Sequence, residues 1–302
     1  MRVLLQAVRT PRIAGATAAS GGGRRIRLSS LRTYAFVPAG RGRLAVVDEQ
    51  TGRRRARLSG PVSVSGGATT RLRGLAQNGV TSGLYRGRMV LMRSGGSVLA
   101  VNHVGLEPYL FGVVPAEMPS SWPAEALKAQ AVVARSYALT SRRTGLAYDV
   151  YADVRSQVYR GVTGEVATTN DAVRATRGRV VLAGGQVAQT FFFSTSGGHT
   201  QGNEEEWGSL PVSYLRPVDD PHDDLSPYHT WRARFSRAQI ASLLRDYTRG
   251  RFRRLRVASR GPSGRALTLR IVGRGGTTVV SGATIRALLG LRSNWITRIS
   301  GP

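Results

Sequence analysis

The chain has 302 residues, 41% hydrophobic and 20% charged, with no cysteine. That composition supports a sizeable core and excludes a disordered chain, a disulfide framework, a thiolate metal site and a cysteine nucleophile. No apolar run reaches the roughly 18 residues of a membrane-spanning helix, and the formal charge of +27 marks a strongly basic protein.

Met1-Arg2-Val3-Leu4-Leu5-Gln6-Ala7-Val8-Arg9 opens the chain. Gln6 and Arg9 interrupt the apolar run too early for a secretory core, so a short strand is predicted and no export signal is visible. Val3–Val8, Arg43–Val47, Gly87–Arg93 and Val98–His103 carry β-branched or alternating apolar residues, with Gly and Ser clusters between them. Residues 1–104 are therefore expected to form a β-rich lobe, with a small insert near 40–75. From residue 105 to 302 a mixed lobe is expected. Pro123–Arg143 is the strongest helix pattern: Pro suits the first position, Glu125 suits the positive end of the dipole, and Ala, Leu, Lys and Gln follow. Apolar residues surround it, which predicts a central, buried helix. A helix over 170–176, strands over 179–182 and 187–193, and a loop over 203–230 come next. A helix over 236–247, strands over 252–258 and 266–273, and a short helix over 282–289 close the chain. Strands and helices without regular alternation give an α+β class.

The charge is uneven along this order. Residues 1–100 hold 18 Arg against 2 acidic side chains, residues 231–302 hold 16 against 1, and residues 101–230 hold 10 basic against 14 acidic groups. A nucleic-acid enzyme places basic charge on its working face. Here the centre is the least basic part, so no nucleic-acid partner is expected. The flanks suit an anionic envelope polymer or lipid, or express a plain arginine bias.

Four places can carry chemistry. In Val113-Val114-Pro115-Ala116-Glu117-Met118-Pro119, two prolines are expected to hold the backbone extended, and the apolar neighbours to desolvate Glu117 and raise its pKa. A carboxyl kept protonated is what a general acid needs; a loop Glu facing water is the alternative. Lys128 is the only lysine beside 43 arginines. It shares a helical stripe with Arg135, which fits either a pocket wall that orients Glu117 or a snorkelling pair at an edge. Ser194-Thr195-Ser196-Gly197-Gly198-His199-Thr200 lets backbone approach a polar ligand such as a sugar, or forms an ordinary turn. Asp219–Asp224 with His222 and His229 offers metal-type donors, but without metal-site spacing. No metal or other cofactor is expected.

These residues, with Trp122-Pro123, Glu125–Ala131, Ala134–Ala138, Ser156-Gln157-Val158-Tyr159, Thr169–Val173, Thr195–Gly198, Tyr214–Val218 and Leu288–Trp295, resemble the stage II sporulation protein D (SpoIID/LytB) family in order along most of the chain. The resemblance implies a peptidoglycan lytic transglycosylase that acts on glycan strands in the cell envelope, outside the cytoplasm. It implies Glu117 as the catalytic acid. Lys128, Arg135, Ser196, Gly197, Gly198, Tyr214 and Asp223 follow as substrate-binding residues. Some relatives hold zinc with Cys and His; this chain has no Cys, so zinc is not carried over. A noncatalytic wall-binding or amidase-activating module, working beside other wall hydrolases, is the alternative. An upstream targeting segment is expected to precede the first strand.

Overall fold

The computed structural model describes residues 1–40 and 42–300. The chain divides into two compact units, Met1–Phe192 and Phe193–Pro302, and is α+β as expected. The boundary expected at residue 104 falls inside the first unit.

The first unit contains β1 (Arg2–Val8), β2 (Arg12–Gly21), β3 (Arg24–Arg27), β4 (Thr33–Pro38), β5 (Arg43–Asp48), β6 (Arg54–Ser59), β7 (Val62–Arg73), β8 (Leu84–Tyr85), β9 (Arg88–Ser94) and β10 (Ser97–His103). Then come α1 (Leu106–Glu117), α2 (Ala124–Thr140), β11 (Val150–Tyr151), α3 (Ala167–Ala175), β12 (Leu182–Ala183) and β13 (Gln186–Val187). Among the described residues eleven strands form one sheet, in the order β11-β1-β10-β9-β7-β2-β4-β5-β6, with β3 on β2 and β8 on β7. Only β1 and β11 pair in parallel; the other pairs are antiparallel. The four strands expected in this region correspond to β1, β5, β9 and β10.

Residues 40–75 are not a separate insert. β5 and β6 extend the sheet, and β7 lies within it between β9 and β2. The long strand was hard to see because Ser65-Gly66-Gly67 breaks its apolar alternation. β1 is buried along Val3, Leu4 and Leu5, so it shows a continuous apolar run instead of alternation.

The segment holding Glu117 is helical, not extended. α1 buries Tyr109, Leu110, Val113 and Val114 in the same core as the sheet. Pro108 lies in its first turn, where the missing N–H costs nothing. Pro115 sits near its end, and Met118, preceding Pro119, turns extended and stops the helix. α2 begins just after Pro123 and presents Ala131, Ala134 and Ala138, all buried, to this core. Small side chains there let helices approach closely.

Gly112 of α1 shows how tight the packing is. A Cβ at this position would lie 2.8 Å from the backbone N of Gly161 and 2.8 Å from the ring of Tyr159. The strands expected over 179–182 and 187–193 reduce to the two-residue pair β12–β13.

The second unit contains α4 (Asn203–Trp207), inside the segment expected to be loop, then α5 (Arg237–Leu243), β14 (Phe252–Arg260), β15 (Ala266–Gly273), β16 (Gly276–Ser281) and α6 (Gly282–Leu289). The three strands form an antiparallel meander. Leu255, Leu269, Ile271 and Val280 bury one face against Ile285 and Leu289 of α6. Ser236 and Gln239 close a capping box on α5, and Ser281 caps α6.

Candidate functional site

Glu117 ends α1 and is half-buried. Its Oε1 accepts a hydrogen bond from the backbone N–H of Val158 at 2.7 Å. Burial raises its pKa above the ordinary carboxylate value; the Val158 N–H and the charge of Arg160 offset part of that rise. Among the described residues Oε2 accepts no hydrogen bond.

The loop that delivers Val158 is anchored on both sides. Gln157 is fully buried, accepts from the Tyr109 hydroxyl (3.2 Å) and donates to the Ala134 carbonyl (3.3 Å). Tyr159 is equally buried and donates its hydroxyl to Asn102 Oδ1 (2.9 Å), while Asn78 Nδ2 donates to the Tyr159 carbonyl (2.6 Å) and to the Tyr85 hydroxyl (2.9 Å). Arg160 N–H donates to the Gly112 carbonyl (3.0 Å), tying the loop back to α1. Burial raises the pKa of both Tyr109 and Tyr159, so both remain neutral donors. Two anchors around a single backbone N–H restrict where the Glu117 carboxyl can sit.

The two cations expected beside Glu117 are used differently. Lys128 Nζ pairs with Glu125 at 2.6 Å, one turn back on the same helix, and is partly exposed. Arg135 is 1% exposed. Its Nε and Nη2 form a bidentate pair with Glu107 of α1 (2.9 and 2.8 Å), and its remaining N–H groups reach the Arg179, Val173 and Ala131 carbonyls. All five donors are spent inside the protein. Arg135 therefore joins α1, α2, α3 and the chain after α3, and it does not form a pocket wall as the helical stripe suggested. Among the described residues no hydrogen bond or ion pair links either cation to Glu117; Arg160 supplies the positive charge there. Sequence reasoning missed Arg160, Gln157 and Tyr159. The Ser156–Tyr159 block was visible in the sequence but had no assigned role.

The remaining expected residues lie in the second unit. Asp223 is buried, and its two oxygens accept from Ser196 N–H (2.7 Å) and Gly197 N–H (2.8 Å). His229 Nδ1 lies 2.9 Å from Oδ2 of Asp223. Burial by itself would raise the Asp223 pKa, but the His229, Ser196 and Gly197 hydrogen bonds outweigh it and the value is lowered. Ser196 Oγ accepts from Gly198 N–H (3.0 Å) and its carbonyl accepts from Arg265 (2.6 Å). Gly197 has a φ of +77°, and a Cβ there would meet the Trp295 ring at 2.9 Å. This is a glycine turn stitched to a carboxylate. Asp223 acts here as the turn's internal acceptor, a use the substrate-binding expectation did not include. Tyr214, 46% exposed, follows α4 on a separate stretch of chain.

Cysteine is absent, His199 Nδ1 lies 2.8 Å from Asp219, and among the described residues no three metal-type donors cluster.

The chain is similar to known proteins over part of its length. Residues 94–182 match the Stage II sporulation protein family, SpoIID. The chain carries a SpoIID domain. That domain includes Glu117, Lys128, Arg135 and the Gln157–Tyr159 anchors. Residues 213–297 match a domain of unknown function, DUF8618, which includes Tyr214, Asp223 and His229. The chain is 30% identical to Stage II sporulation protein D of Bacillus subtilis over 211 residues, 64% of this chain and 60% of that protein. It is 37% identical to the B. subtilis amidase enhancer over 140 residues, 46% of this chain and 19% of that protein. An uncharacterized protein of Brachyspira hyodysenteriae is 36% identical over 148 residues, 48% of this chain and 39% of its own length. The SpoIID-domain chain thus spans 60% or less of these relatives.

Proposed function

We propose that this protein acts on the cell wall as a lytic transglycosylase, cleaving the bond between N-acetylmuramic acid and N-acetylglucosamine in peptidoglycan glycan strands. The observation that carries the reading is Glu117: a half-buried carboxyl with a raised pKa, one oxygen held by Val158 N–H and the other open. Such a group can donate a proton and take one back after it ionises. The protonated Oε2 gives its proton to the glycosidic oxygen, and the C1–O bond breaks with the electron pair going to the leaving sugar. The muramyl C6 hydroxyl then bonds to the oxocarbenium-like C1 and returns its proton to Glu117. The product is a 1,6-anhydromuramyl end, with no water consumed. One carboxyl serves both steps, so a second, nucleophilic carboxylate is not required.

Lys128, partly exposed on α2, and Arg160, exposed beside Glu117, are cations of this domain that a substrate can reach. Arg135 acts by holding α1 to α2. In the second unit Tyr214, 46% exposed, offers an aromatic face to a sugar ring, while Ser196, Gly197 and Gly198 spend their N–H groups inside the turn that Asp223 closes. The action lies outside the cytoplasm, where its substrate is.

A second reading is favoured by the likeness to a protein named amidase enhancer: a noncatalytic module that binds glycan and raises the output of another wall hydrolase. Mass spectrometry of purified glycan strands incubated with this protein alone separates the two. The enzyme yields anhydromuramyl ends without a partner; the module yields them under no condition and changes only the rate of an added amidase.

A further inference from the structure

A second site lies in the first unit, where the end of β3, the chain leading to β4 and the β5–β6 turn meet. Arg27, Arg32, Arg53 and Arg55 line one cavity of about 450 Å³, together with Thr51 and Asp48. Asp48 is the one acidic side chain on this lining, and it is spent. It is 2% exposed, and its oxygens accept from Arg32 Nη1 at 2.5 Å and from Gln50 N–H at 3.1 Å. Glu49, the next residue, is ion-paired with Arg12 at 2.5 Å. Arg27, Arg53 and Arg55 form no ion pair among the described residues. Four positive charges against one negative leave the lining at +3.

The local fold fixes this arrangement. Gly52 N–H donates to the Asp48 carbonyl (2.8 Å) and Asp48 N–H to the Arg53 carbonyl (3.0 Å), closing a tight turn that sets Arg53 and Arg55. The Asp48 carboxylate then holds Arg32 from the other side. Like charges gathered in a concavity repel one another, and low-dielectric walls focus their field on whatever occupies it. Guanidinium forks match phosphate oxygens two at a time. The cavity exceeds the volume of one phosphate, and the Ser29 and Thr51 hydroxyls on its wall add neutral donors.

From this geometry we infer that the cavity is a binding site for a ligand carrying paired phosphate groups, either a small diphosphate or a stretch of phosphodiester chain. The inference does not depend on the glycan-cleaving role of Glu117.

Isothermal titration of the full chain near physiological salt tests it, using inorganic pyrophosphate, inorganic phosphate, acetate and a short glycerol-phosphate oligomer. Pyrophosphate is expected to bind more tightly than phosphate, and acetate not to bind. The Arg53→Ser/Arg55→Ser variant is expected to weaken pyrophosphate binding by about tenfold per arginine removed. Arg253→Ser/Arg256→Ser removes the same charge from exposed positions of β14 and should change binding less than about twofold. Tighter binding of the oligomer than of pyrophosphate assigns the site to a polymer, and the reverse assigns it to a small diphosphate; both keep the site. Equal weakening in the two double variants, no preference for pyrophosphate over phosphate, or no binding would each overturn it.

Discussion

The backbone N–H of Val158 lies 2.7 Å from Oε1 of Glu117 and donates to it. This one bond joins the end of α1 to a loop pinned by Gln157 and Tyr159, and it leaves the opposite carboxyl oxygen open. It also favours the ionised carboxyl, against the burial that favours the neutral one. Burial outweighs the hydrogen bond, and the carboxyl pKa lies above its ordinary value.

That shift has a stability signature. A carboxyl whose folded pKa is raised contributes stability below its unfolded pKa, and that stability is lost as pH rises through the folded value. Near pH 7 the ionised Glu117 therefore costs the fold. Glu117→Gln keeps an acceptor for Val158 N–H and removes the charge. Urea unfolding should show the variant more stable than the parent at about pH 7, with the difference shrinking towards about pH 4. A difference that does not vary with pH contradicts a buried, raised carboxyl.

Arg135 and Lys128 should separate cleanly. Arg135→Leu strands Glu107 and three carbonyls in or beside the core. Breaking one partner of a buried pair costs about 3–5 kcal/mol, read as a fall in the unfolding midpoint. Lys128→Ala removes an exposed pair with Glu125 and should cost under about 1 kcal/mol. Any loss of glycan cleavage in the lysine variant is then a substrate effect.

Asp223 should govern the glycine turn of the second unit. Its lowered pKa places its contribution to stability above the unfolded carboxylate value, lost as pH falls through the folded one. Amide shifts of Ser196 and Gly197 followed by NMR should titrate with a midpoint below about 3.9, and Asp223→Ala should abolish that titration and cost about 2–3 kcal/mol. A midpoint above the ordinary value contradicts the hydrogen-bonded carboxylate.

Much of this was legible in the sequence where side chains speak for themselves. β1, β5, β9 and β10 showed as apolar or alternating runs, α2 as an alanine-rich helix after a proline, and α6 as the short helix after Ser281. Glu117 stood out because its neighbours are apolar. Its backbone state did not: prolines at 115 and 119 suggested an extended segment, yet Pro115 sits where α1 is already ending. β7 was hidden because Ser65-Gly66-Gly67 interrupts its apolar alternation. Arg135 carried a charge that the sequence read as functional, and only its five internal acceptors show that it is a tie between helices. The Val158 N–H was invisible for a simple reason. A backbone donor has no residue identity, and its importance comes from the buried Gln157 and Tyr159 on either side.

In the proposed reaction Glu117 is both the proton donor and the proton acceptor of glycan cleavage. Peptide-free glycan strands incubated with the parent and with Glu117→Gln, followed by mass spectrometry of the products over time, test it most directly. The parent should release 1,6-anhydromuramyl fragments, and a variant that remains folded should release them about 10²–10⁴-fold more slowly. Undiminished release by the folded variant would contradict it.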